Sequence, residues 1–160
     1  GEGFGIYSSI GGFRVGVLNL MGNIFMKKCD DVFNATKEFL DQNKLKKNYD
    51  FLIVDFHGEI TSEKMAIGHV FDGNATFVVG THTHVPTNDG RLLNNGTAYL
   101  TDAGMCGDYD SVIGMNSKNS IKRFYKKEET VKNFPAEGEA SLCGAIVEAN
   151  PENGLSLIHI

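Results

Sequence analysis

Two short apolar runs set the limits on what this chain can fold into. Phe51-Leu52-Ile53-Val54 and Ala75-Thr76-Phe77-Val78-Val79 are rich in β-branched and aromatic residues, and each leads within a few positions to a glycine and a histidine. Runs of this length and composition read as strands covered on both faces. Between them a helix is predicted over about residues 62–72, with Thr61 or Ser62 as its cap and Met65, Ala66, His69 and Val70 along one side. An earlier amphipathic helix is predicted from Cys29, Val32, Phe33, Thr36, Phe39 and Leu40. Asp30 and Asp31 lie early in it, to suit the macrodipole, and Gln42-Asn43 marks its end. Before it, Phe4–Ser9 and Phe13–Leu20 flank Gly11-Gly12 as the arms of a hairpin. Strands alternating with helices in this order predict an α/β fold built on a largely parallel sheet.

Downstream, Pro86, Asn88-Asp89-Gly90 and Asn94-Asn95-Gly96 are turn signals around a short Arg91–Leu93 arm, and Thr97–Thr101 is the returning strand. A glycine-spaced loop follows from Asp102 to Asp110. A short basic helix is predicted at Ser120–Lys127, and strands at Leu142–Val147 and Leu155–Ile160. The 160 residues fit one domain. A formal charge of -5 gives no electrostatic reason to expect a nucleic-acid duplex as partner. Cys29, Cys106 and Cys143 form no CxxC pair, so neither a zinc ribbon nor a dithiol centre is suggested. With no long apolar run for a membrane, a reducing, cytoplasmic setting is expected. The chain opens Gly1-Glu2-Gly3 and stops at Ile160 inside an apolar run, so a piece of something longer is expected.

The chemistry gathers where the strands end. His57 follows the first run, and His82 and His84 follow the second at a spacing of two. Open α/β sheets place ligands beyond the carboxyl ends of their strands, and parallel neighbours bring those ends to one edge. Three imidazoles converging there suit zinc, iron or manganese with a coordination position left open; three unrelated histidines are the alternative. Asp55 shares a strand face with His57 and is a candidate acceptor for an imidazole N–H. Glu59 and Asp102 are candidates for the same role, and solvent-paired carboxylates are the alternative for all three. His69 is read as packing, His159 has no evident partner, and Cys106 is read as a bystander thiol. Lys118, Lys122, Arg123 and Lys126 are read as a solvated helix face, with a phosphate contact as the second reading.

Several blocks carry a resemblance. Val54-Asp55-Phe56-His57-Gly58-Glu59, Thr61-Ser62-Glu63-Lys64 and Gly80-Thr81-His82-Thr83-His84-Val85 resemble the YmdB-like cyclic-nucleotide phosphodiesterases of the calcineurin-like metallophosphoesterases. So do Gly96-Thr97-Ala98-Tyr99 running into Thr101–Met105, and the Gly104–Gly114 stretch. The resemblance implies the C-terminal part of a metallophosphoesterase β-sandwich flanked by helices. It implies two divalent metal ions, iron or manganese, with His57 and His82 on one and His84 on the other. It further implies a metal-bridging hydroxide attacking phosphorus in line, and 2′,3′-cyclic nucleotides opened to 3′-phosphates. A homo-oligomer is also in keeping with the family.

The family's N-terminal segment carries an aspartate, a bridging Glu-Asn pair and an Asn-His pair that holds the proton donor, and none of these motifs occurs here. The expectation is therefore a single partial domain over 1–160, cut from a parent enzyme. Alone, it should bind metal weakly or not at all, be inactive or nearly so, and expose apolar surface or strand edges that favour self-association. The rival from another class is a non-catalytic regulatory or oligomerising α/β module with a vestigial metal site. Among other hydrolases, an amidohydrolase barrel needs far more chain. A metallo-β-lactamase-like site wants further His and Asp where Val85-Pro86-Thr87 stands.

Overall fold

The hairpin and the alternating strands and helices assemble into one six-stranded sheet in the computed structural model, which describes residues 3–125 and 132–159. The strands are β1 (Phe4–Ser8), β2 (Arg14–Met21), β3 (Phe51–His57), β4 (Phe77–Thr81), β5 (Arg91–Leu92) and β6 (Ala98–Leu100). Their order across the sheet is β1-β2-β3-β4-β6-β5. The four central strands are parallel, and the edge strands β1 and β5 each pair antiparallel with a neighbour. Crossovers are made by α1 (Val32–Gln42) and α2 (Thr61–Phe71), and both helices pack on one face. There Leu18, Leu52, Val54, Phe56, Val78 and Tyr99 of the sheet meet Val32, Ile67 and Phe71 in the main core.

The opposite face is only half covered. Ala145 and Val147, with Ile53 and Val79, pack on Phe77, Ala98 and Leu100. Val147 belongs to β9 (Val147–Ala149), which pairs antiparallel with β10 (Ser156–His159). Thr76 fastens this pair to the sheet: its hydroxyl donates to Gly154 O over 2.6 Å, and its carbonyl accepts from Ser156 Oγ over 2.7 Å. Between β9 and the sheet an apolar groove of about 300 Å³ remains, lined by Val15, Phe51, Ile53, Phe77, Val147 and Ala149. A second small ladder joins β7 (Gly107–Asp108) to β8 (Ala140–Ser141), and α3 (Ser117–Phe124) lies between them in sequence.

The α/β class and the parallel order hold, and five expectations need correction. Helix α1 begins only at Val32, because the Asp31 side chain accepts from Asn34 N and caps it, so Cys29 and Asp30 lie before the helix and its first turn holds no acid. No side chain caps α2. Its cap position is Ile60, because the chain turns into the helix directly after β3 and Thr61 is already helical. The buried side of α2 is Glu63, Lys64, Ile67, Gly68 and Phe71, whereas Met65, His69 and Val70 face solvent. Two charged residues on the inner stripe hid it from a hydrophobic count. The predicted Leu142–Val147 strand is divided: Ser141 pairs with Gly107, 142–146 carry no ladder, and pairing resumes at Val147. Finally α3 starts earlier than predicted, because the Asn116 side chain accepts from Asn119 N and caps it; Lys126 and Lys127 lie outside the described residues, as does Ile160. Among the described residues no helix is long and apolar enough to cross a membrane.

Gly80 is the tightest point between β4 and β6. A Cβ there would lie 1.8 Å from Thr101 O and 2.8 Å from Lys64 Cδ. The backbone oxygen cannot move without breaking the Ala103 N to Gly80 O bond beside it. Gly80→Ala is expected to destabilise the chain by about 3 kcal/mol or more, read from chemical denaturation.

Candidate metal centre

Register decides which side chains meet. Asn19 on β2 lies opposite Asp55 on β3, and His57 on β3 lies opposite Thr81 on β4. All four alternate residues therefore face the half-covered side, at the carboxyl ends of three adjacent strands. They form one hydrogen-bonded chain. Asn19 Nδ2 donates to Asp55 Oδ2 over 2.8 Å, and Thr81 Oγ1 donates to Asp55 Oδ1 over 2.7 Å.

That second bond fixes the tautomer of His57. The hydroxyl has a single proton, and the Asp55 carboxylate takes it. Thr81 Oγ1 is then the acceptor in its 3.0 Å contact with His57 Nδ1, so Nδ1 carries the ring proton and Nε2 presents a lone pair. The lone pair faces His82 Nδ1 at 3.1 Å, with the two rings nearly perpendicular at 81°. On its far side, His82 Nε2 lies 3.0 Å from Glu59 Oε2. As a neutral ring His82 carries one proton, and on Nε2 that proton serves Glu59 and leaves the Nδ1 lone pair toward His57. His57 Nε2 and His82 Nδ1 are the two nitrogens that would hold a cation, with the His82 Nε2–H left to Glu59. Two imidazole nitrogens 3.1 Å apart are close enough to serve one ion together. The pair fits a metal.

The third histidine stands apart from the first two. His84 is exposed and its Nδ1 lies 2.9 Å from Ile113 O, an acceptor-only group, so Nδ1 donates and Nε2 is left with the lone pair. Both His82, at φ 104°, and His84, at φ 67°, occupy the left-handed region that disfavours a side chain. Strain of this kind persists only where the surroundings over-determine it. Among the described residues no group of three or more His, Cys, Asp and Glu side chains is arranged to hold a metal ion.

Similarity to known proteins gives the family. The profile of the YmdB-like protein family matches residues 1–158. The chain belongs to the YmdB-like family. It is 42% identical over 146 residues to the 2′,3′-cyclic-nucleotide 2′-phosphodiesterase of Bacillus subtilis (strain 168), an alignment covering 91% of this chain and 54% of that protein. Two crystal structures superpose with a TM-score of 0.88. One is a hypothetical protein from Thermus thermophilus, 38% identical, covering 99% of this chain and 60% of that one. The other is a novel phosphatase from Mycoplasma pneumoniae, 34% identical, covering 100% of this chain and 56% of that one. The chain thus spans little more than half the length of these YmdB-like relatives.

Of the three carboxylates expected near the histidines, Glu59 touches His82 directly and Asp55 reaches His57 through Thr81. Asp102 touches no imidazole. It is buried, and it accepts from Lys64 Nζ over 2.7 Å, Thr83 Oγ1 over 2.7 Å, Thr83 N over 3.2 Å and Gly104 N over 2.8 Å. Burial pushes its carboxyl up, but the bonds from Lys64, Thr83 and Gly104 and the Lys64 charge outweigh that and hold it below the usual carboxylate range. Lys64 is itself only 1% exposed. The pair thus clamps Thr83, the residue between the two histidines, onto the inner face of α2. Sequence reasoning missed Lys64 as a functional residue, and its place four residues before the buried Gly68 was the available signal. Glu63 was missed too. One of its carboxylate oxygens accepts from Asn23 N over 2.9 Å, which ties the β2–α1 loop to the same helix.

The loop after β4 is pinned at its far end by Asp89, which accepts from the Thr87 and Thr101 hydroxyls, from Thr101 N and from Arg91. Burial raises the Asp89 carboxyl, and these bonds more than offset it, leaving a pKa of about 2. A folded pKa below the unfolded one stabilises the fold above the ordinary carboxylate range, and that contribution disappears as pH falls from about 4 towards 2. Asp89→Asn is expected to flatten the acid side of the stability–pH curve over that window, measured by denaturant midpoints. Lys64→Met is expected to cost about 3–5 kcal/mol by leaving a buried carboxylate unpaired, and Lys64→Met with Asp102→Asn should recover part of the loss in the same assay.

Proposed function

We propose that this chain carries the histidine half of a metal-dependent phosphodiesterase site that opens 2′,3′-cyclic nucleotides to 3′-phosphates. The observation that carries the reading is the 3.1 Å approach of His57 Nε2 to His82 Nδ1, with Asp55, Thr81 and Glu59 behind the two rings. The name of the Bacillus relative supports the substrate class. In this reading His57 and His82 hold one divalent ion, iron or manganese, and His84 contributes Nε2 to a second. The chemistry such ions supply when bound is Lewis acidity toward phosphoryl oxygens and activation of water at neutral pH.

The protein's own residues set the stage for that chemistry. Asp55, through Thr81, keeps the His57 proton on Nδ1. Glu59 takes the Nε2–H of His82 and makes that ring a better donor at Nδ1. Ile113 O does the same for His84 from the backbone. Lys64 and Asp102 hold Thr83, and so fix the spacing of the two histidines on either side of it. A small phosphoester is the partner, in keeping with the formal charge of -5, which disfavours a nucleic-acid duplex. The direct ligands within the chain are neutral imidazoles, which give little charge compensation to paired cations. The chain by itself is therefore expected to hold metal weakly and to turn over slowly.

Manganese titration by equilibrium dialysis tests the reading. His57→Ala and His82→Ala are each expected to weaken manganese binding roughly ten-fold or more, whereas His69→Ala, on the solvent side of α2, leaves it unchanged. In the full-length parent, hydrolysis of 2′,3′-cyclic AMP at saturating manganese should release the 3′-phosphate and disappear in His82→Ala, while the 160-residue chain alone is inactive or nearly so. Manganese binding that is indifferent to both His57 and His82 would sink the reading.

A further inference from the structure

His84 points the way to a second feature of the site. The carbonyl that orients its ring belongs to Ile113, and Ile113 is a wall of a cavity of about 330 Å³. The turn at 112–115 forms one side, with Val112, Ile113 and Met115, and α3 forms the other, with Ser120, Arg123 and Phe124. Asn133 closes it. The segment carrying Asn133 is held in place by backbone bonds from Asn116 N to Phe134 O and from Ala136 N to Gly114 O, both 2.9 Å.

The lining has the chemistry of a site for a flat, polar-edged, anionic molecule. Phe124 is 80% exposed at the rim, leaving a ring face open to solvent. Among the described residues the Ser120 and Asn133 side chains bond only to each other, at 3.4 to 3.5 Å, the outer limit of a hydrogen bond, so both keep capacity for a ligand. The Arg123 guanidinium makes no hydrogen bond or ion pair among the described residues. Lys118, Lys122 and Arg123 make α3 cationic, with no acid between Ser117 and Phe124, on a chain whose overall charge is -5. Cavities that bind small molecules combine apolar walls with a few convergent polar groups in this way, and unstacked bases are gripped on aromatic faces and guanidinium planes.

We propose that this cavity binds the nucleoside part of the phosphoester. The base stacks on Phe124 and is hydrogen-bonded along its edge by Ser120 and Asn133, while Arg123 faces the anionic phosphoester at the mouth. The proposal rests on the phosphodiesterase reading and adds to it the subsite that distinguishes a nucleotide from any other phosphoester. The 112–115 turn then has two tasks, orienting His84 through the Ile113 carbonyl and walling the base.

The test uses the 160-residue chain with 2′,3′-cyclic AMP as probe and inorganic phosphate as the control lacking a base. Saturation-transfer NMR is expected to show the adenine protons closest to the protein. Phe124→Ala should weaken cyclic AMP binding roughly ten-fold, leave phosphate binding unchanged, and be rescued by Phe124→Tyr, which restores a ring. Cyclic AMP binding that is absent, equal in wild type and Phe124→Ala, or lost together with phosphate binding would overturn the proposal. Manganese titration of the same variants keeps the two readings apart. Manganese binding dependent on His57 and His82, beside nucleotide binding indifferent to Phe124, overturns the subsite alone; manganese binding independent of both histidines overturns the metal centre, whatever Phe124 does.

Discussion

The buried pair of Lys64 and Asp102 is the interaction on which the site geometry depends. Both side chains are 1% exposed, and taking two charges from water costs several kcal/mol each before their attraction returns any of it. An apolar pair of the same volume would hold α2 against the sheet at least as well. What an apolar pair cannot do is accept from Thr83 and Gly104 simultaneously. Asp102 sits just beyond β6, Thr83 just beyond β4 and Lys64 on α2, so one carboxylate joins three elements at the edge where the histidines emerge. Gly80 belongs to the same arrangement, since the Lys64 chain passes where its Cβ would be. The ion pair is better understood as a device for position than for stability.

Position matters here because imidazoles are adaptable donors. A histidine ring can present either nitrogen, and which one faces a cation is decided by the partner of the other. At His57 the choice is made two bonds away, by an aspartate acting through a threonine hydroxyl; at His82 it is made by Glu59, and at His84 by a carbonyl. Three different kinds of acceptor each engage one nitrogen of a ring and leave the other as the one able to take a ligand. That shared outcome is the physical support for the metal reading proposed above over three satisfied loop histidines.

Much of this was legible in the sequence, for a definite reason. Strand ends can be read from apolar runs, and parallel register then brings His57, His82 and Asp55 to one edge without further information. The spacing of Asp55 and His57 gave their shared face correctly. Thr81 was not legible as the link between them, because a hydroxyl at a strand end carries no pattern of its own. Nor was Ile113, whose contribution is a backbone oxygen. Lys64 and Glu63 were misread for the opposite reason: charged residues on a helix are normally solvent-facing, so the face through Met65, His69 and Val70 looked like the inner one. The rule failed where α2 turns two charges inward, one to the loop holding the histidines and one to the loop entering α1.

The two faces of the sheet divide the work accordingly. The face under α1 and α2 is sealed by large side chains, and it sets the strand register. The other keeps an apolar groove at the amino ends of its strands and a polar network at their carboxyl ends. A polar chain such as Asn19–Asp55–Thr81–His57 would be costly under a sealed core, where every member must be satisfied. On a half-covered face its outer members, Asn19 and Glu59, can be completed by water while the inner ones stay ordered. The same openness lets His84 reach across to Ile113, so that the loop presenting the histidines and the turn walling the α3 cavity are fixed relative to each other by one hydrogen bond. A shift of that turn would move the cavity wall and His84 together. In the proposed site, the orientation of His84 and the shape of the cavity are therefore coupled through the backbone at residue 113.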